Sequence, residues 1–293
     1  MQLLDFWFPA VERCFDAISA GEKLATMVET MNTGKEAAAF IPLLERFGVP
    51  RDGVLVVHSA IATLSRQGYR AEAIIEALLD HMAAGHLFMP TMTWRTVTPD
   101  NPAWDEIATA SHTGILTEIF RTRYAIARSI HPTHSVAGWG PAAPALLSRH
   151  HLDTTPVSQN SPYGLMRDYE TYIFMVGVGL ETCTAIHLPE ETIAVDVYVR
   201  PPETAVMYPC RDRHGTVHQV WARRHWRLNR DFPQFGPPLA ARGLLETGNI
   251  CGCPYTIVAM SDLLREIFAA LIANQRATLN QNKDVEQSAQ ASQ

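Results

Sequence analysis

The sequence predicts an α/β protein: a mixed or largely parallel central sheet flanked by helices, with a small β-rich insertion at residues 192–235. Three stretches carry this expectation. Gly53–Ser59 (GVLVVHS) is a continuous apolar run ending in polar residues, as a strand covered on both faces does. Glu72–Ala84 sets Ala73, Ile74, Ala77, Leu78 and Met82 on one helical face, and Leu87–Met89 is a second short apolar run. Strand, helix and strand in that order form a βαβ unit, which implies parallel pairing. Thr171–Val178 is a third run of β-branched and aromatic residues.

In chain order, residues 1–35 read as an N-terminal helical extension. Leu3, Leu4, Phe6, Trp7, Val11 and Phe15 recur at roughly helical spacing, a face suited to the body or to a partner subunit, so a homodimer is an expectation. The main domain is expected over 36–281. It opens with a helix at Glu36–Phe47, restarted at Pro42 and stopped by Gly48 and Pro50. After the βαβ unit, residues 94–113 are irregular and carry two Pro and two Trp, the mark of a substrate wall or lid. Gly114–Arg123 is a helix. Residues 128–140 (RSIHPTHSVAGWG) form a shaped loop or short strand, since the residue before Pro132 is held extended. Gly140–His151 is a helix entered at Pro141, and SPYG at 161–164 is a turn. Within 192–235, Val217–Trp226 partly alternates, predicting a hairpin that turns at His214-Gly215. Tyr255–Met260 is a strand, followed by a helix at Ser261–Asn274 with Ser261 as N-cap. Residues 282–293 are a polar, flexible tail.

Composition narrows the function. The chain of 293 residues is 47% hydrophobic and 18% charged, with net charge −6, which calls for neither a nucleic-acid nor a membrane partner. No run reaches the roughly 18 apolar residues of a membrane span. The first residues lack the basic n-region and cleavage site of a signal peptide. Five cysteines in so long a chain do not make a disulfide framework, so a cytoplasmic, reduced protein is expected.

In open parallel sheets, ligands sit at the C-terminal strand ends. His58, Ser59, Thr91, Thr93 and His187 are expected there. Gly177 and Gly179 mark a turn after the third strand, and His187 opens the helix beyond it. Glu190, three residues on, shares its helical face. A carboxylate beside an imidazole fixes its tautomer and raises its basicity, as a general base requires. The same pair equally describes a buried histidine with one satisfied partner.

The series VLVVHSA (54–60), FMPTMT (88–93), RSIHPTHSVAGWG (128–140), NSPYGLM (160–166) and FMVGVGLETCTAIHLPE (174–190) resembles the aminoglycoside 3-N-acetyltransferase, or antibiotic N-acetyltransferase, family over about residues 37–280. The resemblance implies that family's own α/β fold, acetyl-CoA or another acyl-CoA as cosubstrate, and an amine as acceptor. It makes His187 the group that activates the amine, with Glu190 beside it. It places His58, Ser59, Ala60 and Ile61 on the CoA side, with Ala60 in place of the usual second serine. Thr133, His134, Ser135 and Val136 fall in the loop lining the thioester and pyrophosphate arm, with His131 in the same motif. His86 stands where a threonine is usual. Residues 1–35 have no counterpart.

The chemistry expected is direct transfer, with no metal. An alkylammonium has no free lone pair until a base takes its proton, and backbone amides of the 58–61 or 133–136 loops are the expected oxyanion donors. The acceptor wall is expected to present Thr93, Trp94, Asp105 and Glu106, with Asp100 nearby, and a polycationic aminoglycoside favours such carboxylates. The arginines of 200–230 favour instead a nucleotide-linked amino sugar or other anionic amine. Three rivals stand beside this reading. One is an acyl-enzyme on Ser59, Ser135 or Cys183, although no G-x-S-x-G elbow is present. Another is a metal held by Cys210, His214, His218, Cys251 and Cys253, whose spacing fits no standard zinc site. The third is a non-catalytic CoA- or metal-binding protein on the same fold.

Overall fold

The computed structural model describes residues 37–280; the expected N-terminal helix and the polar tail lie outside them. Among the described residues there are ten strands: β1 Val54–Ser59, β2 His86–Pro90, β3 Trp104–Asp105, β4 Ala127–Arg128, β5 Val136–Trp139, β6 Thr171–Val176, β7 Val206–Arg211, β8 Val217–Ala222, β9 Leu245–Ile250 and β10 Cys253–Ala259. The helices used below are α1 Phe40–Phe47, α2 Ala62–Arg66, α3 Ala71–His81, α4 Ile115–Arg123, α5 Ala143–Leu147, α6 Pro162–Met166, α7 His187–Ile193 and, later in the chain, Met260–Ala273.

The main sheet has seven strands in the order β4-β5-β2-β1-β6-β10-β9. Its centre is parallel: β1 pairs with β2 and with β6. Both flanks are antiparallel, through β2–β5, β5–β4, β6–β10 and β10–β9. The sheet is therefore mixed, with the parallel character confined to three strands. Strand alternation divides the core. Val54, Val56, Ile173 and Met175 pack against Ile186, Leu188, Leu263 and Ile267 on one face. Leu55, Val57, Phe174 and Val176 pack against Leu44, Ile75, Leu78 and Phe120 on the other. Each such side chain contributes about 1.5–3 kcal/mol on leaving water. That is why these apolar runs show no polar alternation.

Local chemistry fixes several boundaries. α1 ends at Gly48, whose φ of 82° is the left-handed cap that glycine takes most cheaply. Pro42 lies in the first turn of α1, where no backbone N–H is needed, so it does not break the helix. SPYG is a short helix rather than an isolated turn: the Ser161 hydroxyl accepts from Gly164 N at 3.2 Å. Ser261 is not a cap; its helix starts one residue earlier, with Ala259 at the N-cap and no side-chain bond there.

Strand β9 was not expected from the sequence. It is an edge strand whose Gly248-Asn249 reads as a loop, and it joins β10 through Cys251-Gly252, with φ of 51° and 71°. Positive φ at both central residues is what a type I′ hairpin requires. The hairpin β7–β8 turns over His214-Gly215, where the Asp212 carboxylate accepts from His214 N and Thr216 N at 2.9 Å each. β3 joins β7 in parallel, so the hairpin and the 94–113 loop share one small core of Val97, Trp104, Tyr208, Cys210, Val220 and Ala222.

Candidate active site

Strands β1 and β6 run parallel, so their C-terminal ends open side by side. Gly177, directly after β6, has φ of 71°, and a Cβ there would lie 2.1 Å from the Ala60 carbonyl oxygen. Only glycine lets the two strand ends approach this closely. Two turns later the chain enters α7 at His187, with Pro189 in the first turn, where its missing N–H costs nothing.

His187 Nδ1 lies 2.7 Å from Glu190 Oε2. Glu190 is fully buried and is held from the opposite side as well. Arg230 Nε donates to both carboxylate oxygens at 3.1 Å, and the Thr278 hydroxyl donates to Oε1. Burial pushes the Glu190 carboxyl up, but His187, Arg230 and Thr278 outweigh it and hold it below its usual range. The group is therefore a carboxylate that receives Nδ1–H. Burial depresses His187 below an ordinary histidine, against the pull of Glu190. At neutral pH its other nitrogen, Nε2, carries a lone pair, and the ring lines a cavity of about 530 Å³.

That cavity is also lined by His58, Ser59, Ala60, Trp94 and His134, all expected site residues. The His58 Nε2 and Ser59 Oγ are buried there without a protein partner, and burial pushes His58 down to about 4. The other expected residues are not in the lining, and each has a packing or hydrogen-bonding role. Ile61 belongs to the core beneath α2. The Thr133 hydroxyl meets His134 Nδ1 at 2.7 Å, Ser135 Oγ donates to the Thr91 carbonyl at 2.8 Å, and Val136 opens β5. Thr93 donates to the Pro132 carbonyl at 2.6 Å. Asp105 caps the turn at Ile107 N and Ala108 N. Glu106, 6% exposed, accepts from the backbone and guanidinium of Arg213 at 2.9 and 2.6 Å. The carboxylate wall is thus part of the hairpin's attachment. Among the described lining residues, Glu181 is the one carboxylate and Arg95 the one guanidinium.

The oxyanion expectation changes too. The amides of Ala60, Thr133, His134 and Val136 are already committed to Val176 O, His131 Nδ1 (two of them) and Ser129 Oγ. The His58 Nε2 and Ser59 Oγ at the end of β1 are polar atoms buried without a protein partner. His112 went unnoticed in the sequence. It lines the cavity with both ring nitrogens unpartnered and its ring 4.7 Å from that of Trp94. Its only signal was its place in the long aromatic loop.

The rival sites do not assemble. Cys183 is buried, and burial pushes its thiol up to about 12, far from a thiolate. Ser135 is engaged with a carbonyl, and Ser59 has no base in hydrogen-bond reach. Cys210 lies in the hairpin core, while Cys251 lies in the β9–β10 turn of the other sheet and Cys253 opens β10; His218 pairs with Asp212 at 3.0 Å. Among the described residues, no helix is long and apolar enough to cross a membrane.

The aminoglycoside 3-N-acetyltransferase family profile matches residues 56–271. The YokD aminoglycoside N(3′)-acetyltransferase-like protein of Bacillus subtilis is 25% identical over 171 residues, covering 51% of this chain and 62% of that one. Aminoglycoside N(3)-acetyltransferase VIII of Streptomyces fradiae is 24% identical over 259 residues, covering 76% and 86%. The crystal structure of YokD superposes with a TM-score of 0.67 at 20% identity, over 82% of this chain and 94% of that one. The CoASH complex of AAC-IIIb gives 0.65 at 19% identity, over 79% and 94%. The match covers most of the strands and the whole histidine–glutamate segment, and the chain belongs to the aminoglycoside 3-N-acetyltransferase family.

Proposed function

We propose that the protein transfers the acetyl group of acetyl-CoA, or the acyl group of another acyl-CoA, directly to a primary amine of an aminoglycoside-like acceptor. The observation that carries this reading is the His187–Glu190 pair, which leaves Nε2 of a neutral imidazole in the cavity. Nε2 takes one proton from the acceptor ammonium, and the freed lone pair attacks the thioester carbonyl. The negative charge passes to the carbonyl oxygen, within reach of the Ser59 hydroxyl and His58. Collapse breaks the C–S bond. The CoA thiolate takes the proton held by His187, and the second proton that the nitrogen loses on becoming an amide passes to solvent, so the products are the amide, free CoA thiol and one proton. Glu190 stays ionised throughout and stabilises the transient imidazolium.

A second reading, acylation of an anionic amine such as a nucleotide-linked amino sugar, is favoured by Arg95, which stacks 4.9 Å over Trp94 at the cavity wall. The arginines of 200–230 lend it less support. Arg213 and Arg230 are tied to Glu106 and Glu190, and Arg224 to the Trp94 carbonyl. Thiol release from acetyl-CoA against gentamicin-like aminoglycosides and nucleotide-linked amino sugars tests both. Turnover of the aminoglycosides supports the first reading and turnover of the sugars alone the second. Binding of CoA without turnover of either class points to another acyl donor or another amine.

A further inference from the structure

A second histidine–glutamate pair lies against the first. Glu190 and Glu191 are adjacent on α7 and leave the helix in different directions. Glu190 turns back to His187. Glu191 accepts from Val157 N at 2.8 Å and sits 2.7 Å from Nε2 of His225. Its side chain is 1% exposed and that of His225 11%. His225 is held in place by an isolated β-bridge to Val199. Its ring lies 4.4 Å from the His187 ring, tilted by 43°, and 5.4 Å from His134, nearly edge to face. His187 and His134 line the cavity, and His225 packs against both from behind.

We propose that His225, anchored by Glu191, is a positioning residue for His187: it braces the imidazole so that Nε2 faces the cavity, and it keeps the covered flank dry. The proposal rests on the reading of His187 as the base. Geometry carries it. The His187 ring is held by Glu190 at Nδ1 and flanked by the His225 ring at 4.4 Å and the Phe232 ring at 5.4 Å. Removing the His225 ring takes away the nearer of the two flanking rings and leaves that side of the imidazole open.

The charges agree. Facing His187 are Glu190 from its own helix, Arg230 and His225 from the segment after β8, and His134 from the β4–β5 loop. Burial, and then the neighbouring histidines, hold His225 and His134 well below an ordinary imidazole. Burial also pushes the Glu191 carboxyl up to about 8. Near pH 7 the second pair is therefore neutral, and Glu190 is the carboxylate that favours an imidazolium. A proton taken from an amine is therefore held on His187 in preference to its histidine neighbours.

The test is a 13C-histidine NMR titration of the ligand-free protein, with the His187 signal assigned by its loss in His187→Gln, alongside kcat and KM by thiol release. His225→Ala opens the flank to water. Because burial is the main cause of the depression, the His187 midpoint is expected to rise by about half a pH unit or more. A loosened base geometry should lower kcat about tenfold, with the acetyl-CoA KM within about twofold. His225→Phe, which restores a ring without titrating, should recover most of both. Glu191→Leu should reproduce part of the alanine effect, and Glu191→Gln, which can still hydrogen-bond, should reverse it. An unmoved His187 midpoint in His225→Ala, or a His225→Phe no better than alanine, overturns the proposal. If His225→Ala does not fold, the same comparison of Glu191→Leu with Glu191→Gln decides. Retained activity in His187→Gln would sink the base reading instead, and leave the titration result standing.

Discussion

At the scale of single residues, sequence distance decides what can be read. The His187–Glu190 contact was legible because three residues along a helix is one turn, so the partner was already implied. Glu106 was not. Its partner Arg213 lies 107 residues away, and a carboxylate in a lid-like loop reads as a substrate contact until that partner is seen. Glu106→Gln should lower stability by about 1–2 kcal/mol, since it leaves the guanidinium of a part-buried pair without its charge partner. It should leave the KM of every accepted amine within about twofold, because the side chain lies outside the cavity lining. Urea unfolding and steady-state kinetics on the same preparation check both halves. A large rise in acceptor KM would restore Glu106 to the acceptor wall.

At the scale of elements, the central strands were legible because strands covered on both faces carry unbroken apolar runs, and β1, β2 and β6 do. The edge strand β9 was hidden because only its ends are buried, and its turn is Cys-Gly rather than Asn-Gly. The approach of β1 and β6 depends on Gly177. Gly177→Ala puts a methyl carbon into the Ala60 carbonyl and a left-handed φ on a residue that resists it. A loss of at least about 1–3 kcal/mol is expected. The backbone can relieve the clash only by moving the His58–Ala60 loop, so acetyl-CoA affinity should fall with stability. Calorimetric titration of CoA checks this; a destabilised protein with unchanged CoA affinity would separate the loop from the cofactor.

At the scale of the whole molecule, the notable feature is the number of histidines held neutral by burial. His58 and His150 are pushed down to about 4, His131, His134 and His225 well below the usual value, and His187 below it. A histidine whose folded pKa is depressed binds its proton more readily in the unfolded chain. Each therefore costs nothing above pH 6.5 and destabilises the fold progressively as pH falls from about 6.5 toward its folded value. For His58 and His150 that amounts to roughly 3 kcal/mol each at the acid end. Glu190 acts in the same direction at lower pH, where its depressed carboxyl must at last take a proton. Glu191, pushed up to about 8, acts the opposite way and loses its contribution as pH rises toward 8, so the urea midpoint should peak near pH 7 and drop steeply between about 6.5 and 4, where the histidines outnumber it. A midpoint independent of pH across that window would mean these rings are hydrated. With His112, also lowered by burial at the same cavity, seven of the twelve histidines gather in one region, which their scattered sequence positions did not disclose.

The central claim is that His187 is the base, and one comparison tests it most directly. Single-turnover acyl transfer from acetyl-CoA to the best acceptor of the amine panel is measured for wild type and His187→Gln, with the CoA dissociation constant measured on both. Glutamine keeps the size and polarity of the side chain and cannot take the proton. A fall in transfer rate of about 10²-fold or more, with CoA affinity within about twofold, is the result predicted. A transfer rate within a few-fold of wild type would contradict the account and leave His187 a buried histidine with a satisfied partner.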